Sequence, residues 1–191
     1  CIKKINNWYE TLQSEKYIQK LSLILNNYAV HLVNSKSLTP FSDYLNMEKL
    51  ANIPFSKIFP NQKLKWAESF YKITDSTGAS LTEQFRIASF LHDNNRTDSG
   101  NSFKFHWSKA KLRESQQNYW EALDEYTLAS KIMQTEPVRT RLQVLIRSCL
   151  KQAYNQGDWG KIRRYCISHK EYIDTSFNLR YYNGYACFQL N

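Results

Sequence analysis

Asn118-Tyr119-Trp120-Glu121-Ala122-Leu123-Asp124-Glu125-Tyr126-Thr127-Leu128-Ala129 is the stretch whose reading decides the fold. Tyr119, Ala122, Tyr126 and Ala129 recur at three- and four-residue spacing, so they share one stripe of a helix. Their order is aromatic, small, aromatic, small. Two helices of a hairpin approach closely only where a small residue sits at the crossing, and aromatic rings fill the groove between neighbouring hairpins. The segment therefore predicts one arm of a stacked helical hairpin, with Pro137 ending the unit.

Two further stretches echo it. Gln156-Gly157-Asp158-Trp159-Gly160-Lys161-Ile162-Arg163-Arg164-Tyr165-Cys166 has a turn, then an aromatic, with Ile162 and Cys166 in place of the small residue and the second aromatic. A first helix over about 139–155 is expected before it. Arg180-Tyr181-Tyr182-Asn183-Gly184-Tyr185-Ala186-Cys187-Phe188-Gln189-Leu190-Asn191 reads as a further first helix, with Gly184 as its small crossing residue. From Gly157 to Asn191 the interval is 34 residues, and from Gln117 to Gly157 it is 40.

The Tyr119/Ala122/Tyr126/Ala129 pattern resembles the second helix of a tetratricopeptide repeat, and 34 residues is that family's period. The resemblance covers roughly 103–191. It implies an all-α chain, a short right-handed solenoid of tetratricopeptide-like hairpins over about 103–137, 138–176 and an incomplete 177–191. An irregular helical region, 1–100, precedes it and is open to being a degenerate set of earlier repeats, for which Trp66 and Ala88 give slight support.

Within 1–100, apolar periodicity predicts helices over 3–34, from Ser42 and Asp43 through Leu50, and over about 62–73. Ser80-Leu81-Thr82-Glu83 has the spacing of a capping box. Asp75-Ser76-Thr77-Gly78 predicts a turn, and 53–60, with Pro54 and Pro60, an irregular segment. The polar run 92–102 predicts a long loop and the domain boundary. Asn95-Arg96-Thr97 inside it fits the glycosylation sequon, with no secretory context to use it.

Composition agrees with long helices and short loops: only 5 Gly and 4 Pro punctuate 191 residues. The net charge is +9, and its excess lies in 104–171, where 13 Lys/Arg face 7 acids. Such a surface attracts acidic protein segments, anionic polysaccharide or nucleic acid. No recognition-helix, zinc-finger or RNA-binding signature accompanies the charge, which argues against nucleic acid. No apolar run is long enough to cross a bilayer. Cys149, Cys166 and Cys187 match no CxxC spacing and read as packing residues, which fits a reducing, cytoplasmic setting. A start at Cys1 fits a piece of a longer protein; a mature lipoprotein also begins with cysteine, and no lipobox precedes this one.

Nucleotide-binding, zinc-protease and serine-hydrolase motifs are absent from the chain. His31, His92, His106 and His169 have no ligand spacing. The expectation is no enzyme, no cofactor and no metal.

In tetratricopeptide proteins the first helices line a concave groove. By position, the resemblance implies a groove of Lys104, Trp107 and Lys111, then Arg147, Lys151, Tyr154 and Asn155, then Tyr181, Tyr182, Tyr185 and Phe188. Arg147, Lys151 and Asn155 echo the family's carboxylate clamp without reproducing it. The expected function is a non-catalytic scaffold holding an acidic or aromatic-bearing protein segment. The alternatives are an accessory helical-repeat domain of a larger bacterial surface-polysaccharide glycosyltransferase and a nucleic-acid-binding helical protein. Lys161, Arg163 and Arg164 are expected on an outward face, as a solvated surface or a phosphate contact.

Overall fold

The computed structural model describes residues 15–51, 60–78, 80–174 and 176–190. All regular structure among them is helical. The chain divides into two compact units, Cys1–Ser108 and Lys109–Asn191, and the division falls inside a helix rather than in the polar run at 92–102.

The first unit holds α1 (Glu15–Asn34), α2 (Pro40–Ala51), α3 (Pro60–Thr77), α4 (Leu81–Asn94) and the start of α5 (Ser99–Ser115). Leu21, Leu25, Ala29 and Leu32 form a buried stripe on α1 at helical spacing. Phe41 and Tyr44 of α2, Ala67 and Phe70 of α3, and Ile87, Ala88 and Leu91 of α4 complete the core. Its rings interlock, Phe41 on Phe90 at 5.1 Å and Tyr44 on Phe70 at 5.9 Å. Asn26 ties α1 to α3, its Oδ1 accepting from Gln62 Nε2 at 2.5 Å and Trp66 Nε1 at 2.9 Å.

Several local expectations change here. Helix α2 starts at Pro40, two positions ahead of Ser42, because proline's fixed φ suits a first helical turn. Asp43 does act at this end, accepting from Ser37 Oγ at 2.8 Å and Thr39 Oγ1 at 3.2 Å. Helix α3 runs on through Thr77, leaving Gly78 alone to turn, at φ +68°. The capping box at Ser80 does not form: Ser80 makes no side-chain cap bond, and Glu83 serves another helix instead. The polar run at 92–102 is mostly helical. Asp98 Oδ1 accepts the Asn101 N–H at 2.7 Å and so starts α5, while the His92 ring stacks on Phe105 at 4.8 Å. The expected start of the first helix before Glu15, and the irregular segment at 53–59, lie outside the described residues.

The second unit holds the end of α5, then α6 (Tyr119–Ile132), α7 (Glu136–Gln156), α8 (Trp159–Ser168), the short α9 (Lys170–Ile173) and α10 (Phe177–Gln189). Ala122, Tyr126 and Ala129 are fully buried, as their spacing predicts, and Tyr119 is 40% exposed. Pro137 lies in the first turn of α7, which it starts. Leu142, Leu145, Ile146, Cys149, Leu150 and Ala153 make α7 the spine of this core.

Three helix ends are built alike. At Gln117 (φ +63°) and Gly157 (φ +70°) the chain enters the left-handed region. There Gln117 N–H bonds Glu114 O and Asn118 N–H bonds Arg113 O, just as Gly157 N–H bonds Tyr154 O and Asp158 N–H bonds Ala153 O. This is the Schellman pattern, which satisfies the last helical carbonyls. Lys36 (φ +50°) repeats it in the first unit, through Val33 O and Leu32 O. With Gly78, the four left-handed turns recur at intervals of about forty residues. Each follows a longer helix and precedes a shorter one. Helices joined through a left-handed turn thus occur in both units among the described residues, with the turns more than 34 residues apart.

Gly184 is not a crossing residue. It is exposed, and nothing lies within 4 Å of where a Cβ would stand; Ala186 is the buried small residue of α10. Gly184→Ala therefore stabilises the chain by about 0.5–1 kcal/mol, since only the glycine's backbone freedom is lost. A urea unfolding curve measures this; destabilisation would show a close approach at that position.

Candidate binding face on the second unit

The residues expected to line the groove separate by unit. Lys104 and Trp107 lie in the first, half-buried and engaged with its own side chains. Lys104 Nζ bonds Asn101 Oδ1 at 3.2 Å and stands 5.8 Å from the Tyr71 ring centre; Trp107 stacks on Phe103 at 6.2 Å. Lys111, Arg147, Lys151, Tyr154, Asn155, Tyr181 and Tyr185 lie in the second. Lys111 is half-buried.

On α7, Val144, Arg147, Lys151 and Asn155 follow one another at three- and four-residue steps, and all four are exposed. Neither Arg147 nor Lys151 forms an ion pair among the described residues, so both charges stay available to a ligand. Arg147 borders a cleft of about 330 Å³ whose other walls include Gln143, Tyr172 and Phe177.

Tyr154, one turn below Lys151, is the hub of a ring cluster. Tyr182, Tyr185, Trp159 and Tyr181 lie 5.0, 5.4, 5.5 and 6.1 Å from it. Its hydroxyl is 3.4 Å from that of Tyr181. That hydrogen bond first, and burial second, push the Tyr154 phenol up to about 12. The cluster joins the end of α7, the start of α8 and α10, as the small residues Ala153 and Ala186 allow the helices to close.

Tyr182 and Tyr185 are half-buried and hold helices together, whereas Tyr181 is 50% exposed and Phe188 75%. Sequence reasoning missed Phe177, which is 76% exposed, and Val144, 51% exposed. The signal for Phe177 was present: Phe177, Tyr181, Gly184 and Phe188 step along α10 by four, three and four positions, one helical stripe.

Cys149 and Cys166 are buried free thiols, pushed by burial up to about 12 and about 11, so they pack rather than react. Among the described residues no three His, Cys, Asp or Glu come together to hold a metal ion. No helix among them is long and apolar enough to cross a membrane. No family model matches this chain, and neither a curated protein nor a solved structure is similar to it.

Proposed function

We propose that this chain is a non-catalytic, tetratricopeptide-like scaffold, acting in the reducing cytoplasm, whose α7–α10 face holds an acidic protein segment bearing aromatic side chains. The observation that carries this reading is the pairing of two unsatisfied cations, Arg147 and Lys151, with exposed rings on the adjacent helix, Phe177 and Tyr181. An arginine fork matches a carboxylate in two hydrogen bonds, and aromatic surface adds contact area at low entropy cost. The free thiols at Cys149, Cys166 and Cys187 support the compartment. The two cations on one helical stripe set the register of the ligand's acids.

A library of acidic, aromatic-bearing peptides, read by fluorescence anisotropy, tests the reading. Binding should weaken at least about tenfold in Arg147→Glu/Lys151→Glu, because like charges replace complementary ones. Both positions are exposed, so the variant keeps its fold. Equal binding by the variant, or no preference for acidic over neutral peptides, rejects the proposal. Binding of acidic oligosaccharides with no peptide affinity would favour the polysaccharide-domain reading.

A further inference from the structure

A second cleft, of about 340 Å³, lies on the same unit between α6 and α8, lined by Asp124, Thr127 and Lys131 from α6 and Arg164, Ser168 and His169 from α8 and its end. His169 is only 5% exposed. Its ring stacks on Tyr165 at 5.9 Å and meets Tyr172 edge-on at 6.4 Å. Neither ring nitrogen makes a hydrogen bond among the described residues, and no buried polar side-chain atom there is left without a partner, so the ring nitrogens are open to solvent. The ring lines the cleft, where an open imidazole nitrogen can meet a ligand.

The charges around it are sorted. Lys131 and Arg164 are exposed and form no ion pair among the described residues. Asp124, the one acid of the cleft lining, already accepts the Tyr165 hydroxyl at 2.7 Å. Glu171 of α9 acts on the ring electrostatically but does not line the cleft. Burial, helped by Lys131 and opposed by Asp124 and Glu171, pulls the His169 pKa below its ordinary 6.5. At neutral pH the ring is therefore uncharged and presents one N–H. Thr127 and Ser168 spend their hydroxyl protons on Leu123 O and Arg164 O, so the donors left are Arg164, Lys131 and the imidazole.

We infer that the α6–α8 cleft is an oxyanion site, taking the phosphate or carboxylate group of a small ligand between Arg164, Lys131 and His169. It is separate from the α7–α10 face and does not depend on that reading. The arginine supplies a planar fork, the lysine a point charge, and the buried ring a directional donor.

Long-range nitrogen NMR of the His169 ring, on the full chain at neutral pH, tests this with inorganic phosphate and with acetate as the titrants. A saturable ring shift is expected, weakened at least about tenfold in Lys131→Gln/Arg164→Gln. Both replaced side chains are exposed, so folding is preserved. Tighter phosphate than acetate assigns the site to phosphomonoesters, and the reverse to carboxylates. Arg147→Glu/Lys151→Glu should titrate like wild type. No saturable shift with either anion, or a shift unchanged in the Lys131/Arg164 variant, overturns the site.

Discussion

Replacing Tyr126 with alanine lowers the unfolding free energy of the chain by about 3–5 kcal/mol. The ring is fully buried on α6, between small residues that bring the neighbouring helices close, so its removal leaves a cavity that the packed helices cannot fill. The hydroxyl does separate work. It donates to Glu114 Oε2 of α5 at 2.9 Å, and the other oxygen of that carboxylate takes Arg141 Nη1 of α7 at 3.3 Å. Burial, and then the bond to Glu114, hold the phenol well above its ordinary pKa, so it remains a donor throughout the accessible pH range. Tyr126→Phe keeps the volume and loses the donor, and should cost about 1 kcal/mol. Urea unfolding followed by circular dichroism measures both. Equal losses for the two variants would mean that the hydrogen bond, not the packing, is what α6 contributes.

Glu83→Ala should destabilise the first unit by about 3 kcal/mol, through polar rather than apolar loss. Glu83 is 2% exposed. One oxygen accepts the backbone N–H of Ser42 at 2.7 Å, in the first turn of α2; the other accepts the Ser42 hydroxyl at 2.5 Å. Arg86 also reaches this group, contacting both Ser42 Oγ and, at 3.3 Å, the Glu83 carboxylate. The alanine variant removes the acceptor of a helical first-turn N–H. Glu83→Gln retains one acceptor oxygen and should recover roughly half of the loss. Arg86→Ala, at a half-exposed position, should cost no more than about 1 kcal/mol. If Arg86→Ala matched Glu83→Ala, the ion pair and not the cap would be the essential contact. Thermal unfolding of the three variants decides between them.

The same residue shows where local reasoning stops. Ser80 and Glu83 have capping-box spacing, and that spacing is a fact of four consecutive residues. Which N–H a carboxylate finally bonds is settled by which unpaired donor lies nearest after folding, and here that donor belongs to Ser42, forty-one positions earlier in the chain. Gly184 makes the complementary point. Its small size marks a possible crossing, but a crossing exists only where a second helix arrives, and at Gly184 none does. For 92–102 the misreading has another cause: polar residues favour loops on average, yet Asp98 and His92 each found a partner that extends the flanking helix.

On the proposed binding face, Arg147, Lys151 and Asn155 were legible because the helical period alone places them on one stripe. The His169 cleft was not, since a lone histidine with no ligand spacing looks the same whether its nitrogens are satisfied or left open. Sequence alone determined that the described chain is helical, where α6, α7, α8 and α10 run, and that Ala122, Tyr126 and Ala129 face inward, because these follow from period, caps and side-chain size over a few turns. Tertiary structure alone decided which exposed rings stayed exposed, which carboxylate capped which helix, and which histidine came to line a cleft between basic side chains, because each depends on what residues distant in the chain bring to the same place.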